Sequence, residues 1–204
     1  MRPAVLRLGA IAAIAVAAVT SSCTVFSPRP DPSRFFTLTP ISDADAAAGA
    51  PHALALGIGP ITFPRYLDRP EIVTRIGPNE VQPAAFDYWA GSLPKQFEGA
   101  LAQNLQALTA SDQVQTYPWY AGSALDYAVE VDVRDFERNT DGQVHLSARW
   151  RIRKGAGGKI LRGGESNLAR PVGASDPGST AAALSGLLGD FSREIARGIG
   201  SAGP

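Results

Sequence analysis

The chain has 204 residues, enough for one domain with a sizeable core. Lys plus Arg and Asp plus Glu number 19 each, a balance that argues against nucleic acid as a partner. A single cysteine excludes an internal disulfide and cysteine-built metal sites, and with only two histidines, His52 and His145, no metal or cofactor is expected.

Met1 to Arg7 carries Arg2 and Arg7 and no acid, and Leu8 to Val19 is an unbroken run of Leu, Gly, Ala, Ile and Val. As a helix that run would span about 18 Å at 1.5 Å per residue, short of the roughly 30 Å hydrocarbon core. It therefore reads as the apolar region of a secretory signal. Thr20, Ser21 and Ser22 are small and precede Cys23, the chain's only cysteine. This arrangement resembles a bacterial lipobox, which implies cleavage before Cys23 and its acylation. Residue 24 is Thr, and by resemblance to known sorting signals the destination is the periplasmic face of the outer membrane. Residues 1–22 are the expected signal peptide. Residues 23–34, with Pro28, Pro30 and Pro32, form an expected polyproline tether for a single domain over 35–200.

Arg34–Thr39 is the first expected strand, followed by an Ala- and Asp-rich linker from Ser42 to Pro51. Ala53–Ile61 is the second strand; its Gly57-Ile58-Gly59 lacks the third glycine and helix start of a phosphate loop. Glu71–Ile76 is the third strand, closed by a turn at Gly77-Pro78-Asn79. Leu93, Phe97, Leu101, Leu105 and Leu108 share one face of a helix, with Ser92 as its expected cap. Val114–Tyr117 is a short strand before an aromatic loop, Tyr117 to Tyr120.

Tyr127–Arg134 and Val144–Arg153 alternate apolar and polar residues around Asp141-Gly142, a hairpin signal. A two-residue turn there sets Val133 beside Trp150 and Val131 beside Ile152 on one face. It sets Asp132 beside Arg151 and Glu130 beside Arg153 on the other, with Arg134 beside Arg149 as the one like-charge pair. Lys159–Leu168 is a further strand, and Leu184, Leu188, Phe191, Ile195 and Ile199 make a second amphipathic helix. The expected class is a two-layer α+β domain, mainly antiparallel, with both helices on one face of the sheet.

Two segments invite a functional reading. The basic run Arg149, Arg151, Arg153, Lys154, Lys159 and Arg162 suits phospholipid head groups or an acidic partner. About half of it, however, faces Glu130 and Asp132 in the expected hairpin. The loop Phe63–Pro70 combines two prolines, two aromatics and two arginines, a composition fit for protein contact. The alternative is that Phe63 and Tyr66 simply cover the core. Neither histidine has a carboxylate or cysteine at catalytic spacing, so the chain is expected not to be an enzyme.

The run Tyr66-Leu-Asp-Arg-Pro70-Glu-Ile-Val-Thr-Arg75 resembles the signature of the PqiC/YmbA-like lipoproteins, the ABC-type transport auxiliary lipoproteins. Asn79-Glu80-Val81, Trp89-Ala90 and Leu101-Ala-Gln-Asn-Leu105 continue the resemblance in order, and the opening Phe35 to Leu38 and the closing Leu184-Ser185 and Phe191 to Ala196 also fit. It implies a YmbA-like fold and a non-enzymatic outer-membrane subunit that serves an MCE (mammalian cell entry)-domain lipid transport system and supports envelope integrity. Its implied partners are the MCE-domain protein, the outer membrane through the Cys23 lipid, and further copies of the chain. Tyr66, Leu67, Asp68, Arg69, Pro70 and Trp89 are the expected partner-contact residues. The rival reading is a structural envelope lipoprotein that binds peptidoglycan or an assembly machine.

Overall fold

A computed structural model describes residues 30–42, 52–120, 122–174 and 176–202. The expected signal peptide, Cys23, most of the tether and nearly all of the Ser42–Pro51 linker lie outside the described residues. By internal contacts the chain divides into two units, Met1–Pro32 and Ser33–Pro204, and the second carries the fold. None of its described helices is long and apolar enough to cross a membrane.

The second unit contains, in chain order, β1 (Arg34–Phe36), β2 (His52–Thr62), β3 (Glu71–Gly77), β4 (Glu80–Trp89), α1 (Leu93–Thr109) and β5 (Ser111–Thr116). These are followed by β6 (Tyr127–Arg138), β7 (Gln143–Lys154), β8 (Ile160–Pro171) and α2 (Pro177–Gly200). One sheet holds all eight strands. One edge of β6 pairs with β7 along its length. The other edge pairs with β2 over the first half and meets β3 at Thr74–Arg138. The sheet therefore forks at β6 into a β2–β5 branch and a β3–β4–β1 branch.

The α+β class, the mainly antiparallel sheet and the two helices on one face stand, and shorter parallel ladders make the sheet a mixed one. β3–β4 and β6–β7–β8 are antiparallel, and β1–β4, β2–β5 and β2–β6 are parallel. The parallel pairings follow from chain order, because β2 and β5 lie either side of the long crossover through α1.

Phe97 of α1 centres the core. Its ring lies 5.2 Å from Phe63, 5.2 Å from Phe136 and 6.2 Å from Phe191 of α2. Each such buried side chain contributes about 1.5–3 kcal/mol of transfer free energy. Buried among these apolar groups, Asn104 of α1 donates to Ser192 Oγ of α2 at 2.9 Å and accepts the Ile41 N–H at 2.8 Å. The backbone N–H groups of Leu38 and Thr39 likewise donate to Gln96 and Ser185. This explains why β1 ends at Phe36 and not at Thr39: the following residues bond to helix side chains instead of a neighbouring strand. Ser92 occupies the α1 N-cap without a side-chain hydrogen bond, contrary to expectation. α2 is capped by Asp176, whose carboxylate accepts the Ser179 N–H. β4 was not anticipated, because Pro83 and an irregular stretch between Pro83 and Tyr88 break its alternation.

The hairpin faces are as expected, but its register differs by two residues. Val131 pairs with Trp150, Val129 with Ile152, Asp132 with Arg149 and Glu130 with Arg151. One residue of the shift comes from the turn. Asn139 N–H donates to Gln143 O at 2.8 Å, leaving a three-residue loop with Gly142 at φ 77°. The other comes from a bulge at Arg134, which has no partner in the ladder. Together they total two, so every side chain keeps its face. The bulge also removes the expected Arg134–Arg149 clash, and Arg134 pairs with Glu165 at 2.8 Å.

Candidate functional site

The Phe63–Pro70 loop joins β2 to β3 and is fastened at four points. Phe63 packs edge-on against Phe97 and Phe136, and Leu67 is buried at 1% exposure. At its far end the Trp89 N–H donates to Pro70 O at 2.7 Å. Between these points the Tyr66 hydroxyl donates to Glu137 Oε2 at 2.7 Å.

Glu137 is the unusual member of this group, a carboxylate at 1% exposure. The bulge at Arg134 rephases β6 so that Phe136 points to the helices and Glu137 to the opposite face, beneath the loop. Arg75 of β3 brings Nε and Nη2 to Glu137 Oε1 at 2.7 and 2.6 Å, and its Nη2 donates to the Tyr66 oxygen at 3.0 Å. The guanidinium also stands 5.7 Å from the Tyr66 ring centroid. Burial pushes the Glu137 carboxyl up, while the Tyr66 and Arg75 hydrogen bonds pull it back. Burial also raises the Tyr66 hydroxyl, reinforced by its bond to Glu137, so it stays a neutral donor. For Arg75 burial acts downward, but Glu137 and Tyr66 outweigh it and hold the guanidinium raised. A closed triad of this kind positions the loop.

Of the expected contact residues, Leu67 and Trp89 (4% exposed) are core side chains with no surface to offer a partner. Tyr66 is half-buried and committed to Glu137. Asp68 and Pro70 are exposed, and Arg69 is partly exposed and bonded to Glu71 at 2.8 Å. That bond lowers the Glu71 carboxyl and raises the Arg69 guanidinium. The structure thus separates the segment into buried fasteners and a short rigid crest, Asp68-Arg69-Pro70. Sequence reading missed Glu137. Its only signal was an acid three residues past Arg134, the last alternating position, in a stretch that the bulge made irregular.

The β7 arginines of the basic run meet acids, while Arg162 donates to Ser201 Oγ at 2.7 Å. Arg153 bonds Glu130 at 2.6 Å, while Arg151–Glu130 and Arg149–Glu165 lie at 3.9 and 3.8 Å. Lys154 stands over the Tyr127 ring. His145 bonds Asp141 at 2.7 Å, and His52 is the first residue of β2. Among the described residues no group of three His, Cys, Asp or Glu is placed to hold a metal.

A mixed sheet with two helices on one face, and a loop whose Phe63 enters the helix-side core while its Tyr66 is held by Glu137, defines an α+β domain. A family model described as "ABC-type transport auxiliary lipoprotein component" matches residues 36–196, and the chain belongs to that family. Two crystal structures are similar at 19% identity each. An uncharacterized protein has a TM-score of 0.67, covering 82% of this chain and 98% of its own. A DUF330-family protein from Xanthomonas campestris has a TM-score of 0.65, with 80% and 93% covered. The fold is therefore the YmbA-like one that the resemblance implied. No curated protein matches the chain.

Proposed function

We propose that this chain is a lipid-anchored, non-enzymatic subunit of an MCE-type lipid transport system, held at the periplasmic face of the outer membrane through Cys23. The observation that supports this most is the family match, which runs through nearly the whole folded unit and describes an auxiliary lipoprotein of a transporter. The Asp68–Pro70 crest is the surface assigned to the MCE-domain partner. It carries exposed polar and proline groups on a loop that buried Leu67 and the Tyr66–Glu137 bond already hold, so docking costs little ordering entropy.

Mass spectrometry of the mature protein and density fractionation of the envelope test the anchor. Acylated Cys23 and co-sedimentation with outer-membrane markers are expected, and Cys23→Ala should release the protein to the soluble periplasmic fraction. An unmodified Cys23 in the mature wild-type protein would refute it.

A further inference from the structure

The β1–β4 end of the sheet carries an aromatic surface that the function above does not use. Phe35 is 66% exposed and Phe86 is 53% exposed. Tyr88 pairs with Phe35 in the ladder and stacks on it, with ring centroids 5.7 Å apart at 29°. The Tyr88 ring then runs back along β4, its hydroxyl donating to Ala85 O at 3.0 Å, beside Phe86. Two exposed aromatics beside a half-buried third form a patch that asks for a partner, unlike a lone exposed residue.

We infer that this patch is a lipid-contact surface, which seats on the membrane interface and orients the domain above it. The occupant follows from chain connectivity. β1 begins at Arg34, eleven residues after Cys23. Even fully stretched, that segment reaches only about 36–40 Å. An acyl anchor at Cys23 therefore keeps Phe35 within reach of the bilayer. Aromatic rings favour the interfacial zone, and a second apolar contact adds to a lipid anchor. The charge beside the patch is balanced. Glu71, which pairs with Tyr88 and shares its face, is bonded by Arg69, while Asp87 alternates to the opposite, buried face, where Arg34 bonds it at 2.6 Å. Neither carboxylate therefore stands bare against anionic head groups.

This inference rests on anchoring at Cys23, and the test separates the two. Cys23 is the only cysteine and is blocked when acylated, so a nitroxide can be placed through Ala85→Cys beside the patch, or through Asn167→Cys on β8 at the other end of the sheet. The mature acylated protein is bound to phosphatidylethanolamine vesicles containing phosphatidylglycerol, and flotation is measured on the same samples. The protein should float, and the label at 85 should show a several-fold higher ratio of oxygen to nickel-complex collisions than the label at 167. Phe35→Ser with Phe86→Ser should abolish that difference while flotation and melting temperature hold. Flotation with equal ratios at both positions overturns the patch and leaves the anchor standing. A label at 85 immobilised without vesicles shows that another copy covers the patch and overturns the lipid assignment. Failure to float overturns the anchor and the inference with it.

Discussion

Replacing Tyr66 with Phe removes one hydroxyl and leaves the ring packing in place, so it isolates the bond to Glu137. At 1% exposure Glu137 has no water to replace that donor, and Arg75 alone must hold the carboxylate. A hydrogen bond to a buried charged group contributes about 1.5–3 kcal/mol, and that is the expected loss in urea melts. Arg69→Ala is the control. Its ion pair with Glu71 is 38% and 27% exposed, and losing it should cost under about 1 kcal/mol. The pH dependence sharpens the test. Burial already holds the Glu137 carboxyl above its ordinary value of 4.5, and losing the Tyr66 donor raises it further. A carboxyl raised on folding contributes stability that is complete below its unfolded value and lost as pH rises through its folded value. The Tyr66→Phe penalty should therefore be largest near neutral pH and shrink toward about pH 4. A penalty no larger than that of Arg69→Ala, or one that grows on acidification, would refute the role given to the triad.

Trp150 is 5% exposed, donates to Ser166 Oγ at 3.0 Å and packs against Gly164 and Gly198, so Trp150→Ala should cost about 3–5 kcal/mol. Arg151, 46% exposed and 3.9 Å from Glu130, should cost under about 1 kcal/mol as Ala. Chemical denaturation of both variants checks the face assignment of the hairpin, and the reverse ranking would contradict it. Asn104→Ala strands the Ile41 N–H and removes the donor to Ser192 Oγ, whose own proton stays on Leu188 O, and should lower stability by about 1–3 kcal/mol. Hydrogen exchange at Ile41 should accelerate in the same variant.

Where one physical signal dominated, the sequence could be read directly. Leu93 to Leu108 and Leu184 to Ile199 repeat at helical spacing, and both helices lie where that spacing put them. Tyr127 to Val133 and Val144 to Ile152 alternate, and their inward faces are the buried ones. What escaped was set by single backbone irregularities. The bulge at Arg134 and the three-residue loop at Gly142 each displaced the register by one, and nothing in local composition marks either. The same bulge hid Glu137, because it ended the alternation at Arg134 while the strand runs on to Arg138. The Tyr66–Pro70 run drew attention for the right segment but for mixed reasons: Leu67 is core, Tyr66 is a fastener, and Asp68, Arg69 and Pro70 alone keep a surface.

Binding of the purified mature protein to the purified MCE-domain protein of the same cell tests the central claim most directly. It should be measured with wild type and with Asp68→Lys plus Arg69→Glu, alongside the melting temperature of each. Wild type should bind, and the charge-reversed crest should lose binding at least tenfold while melting within a few degrees of wild type, since both side chains lie on the surface. A wild-type protein that is folded and acylated yet shows no affinity for the MCE-domain protein would contradict the account.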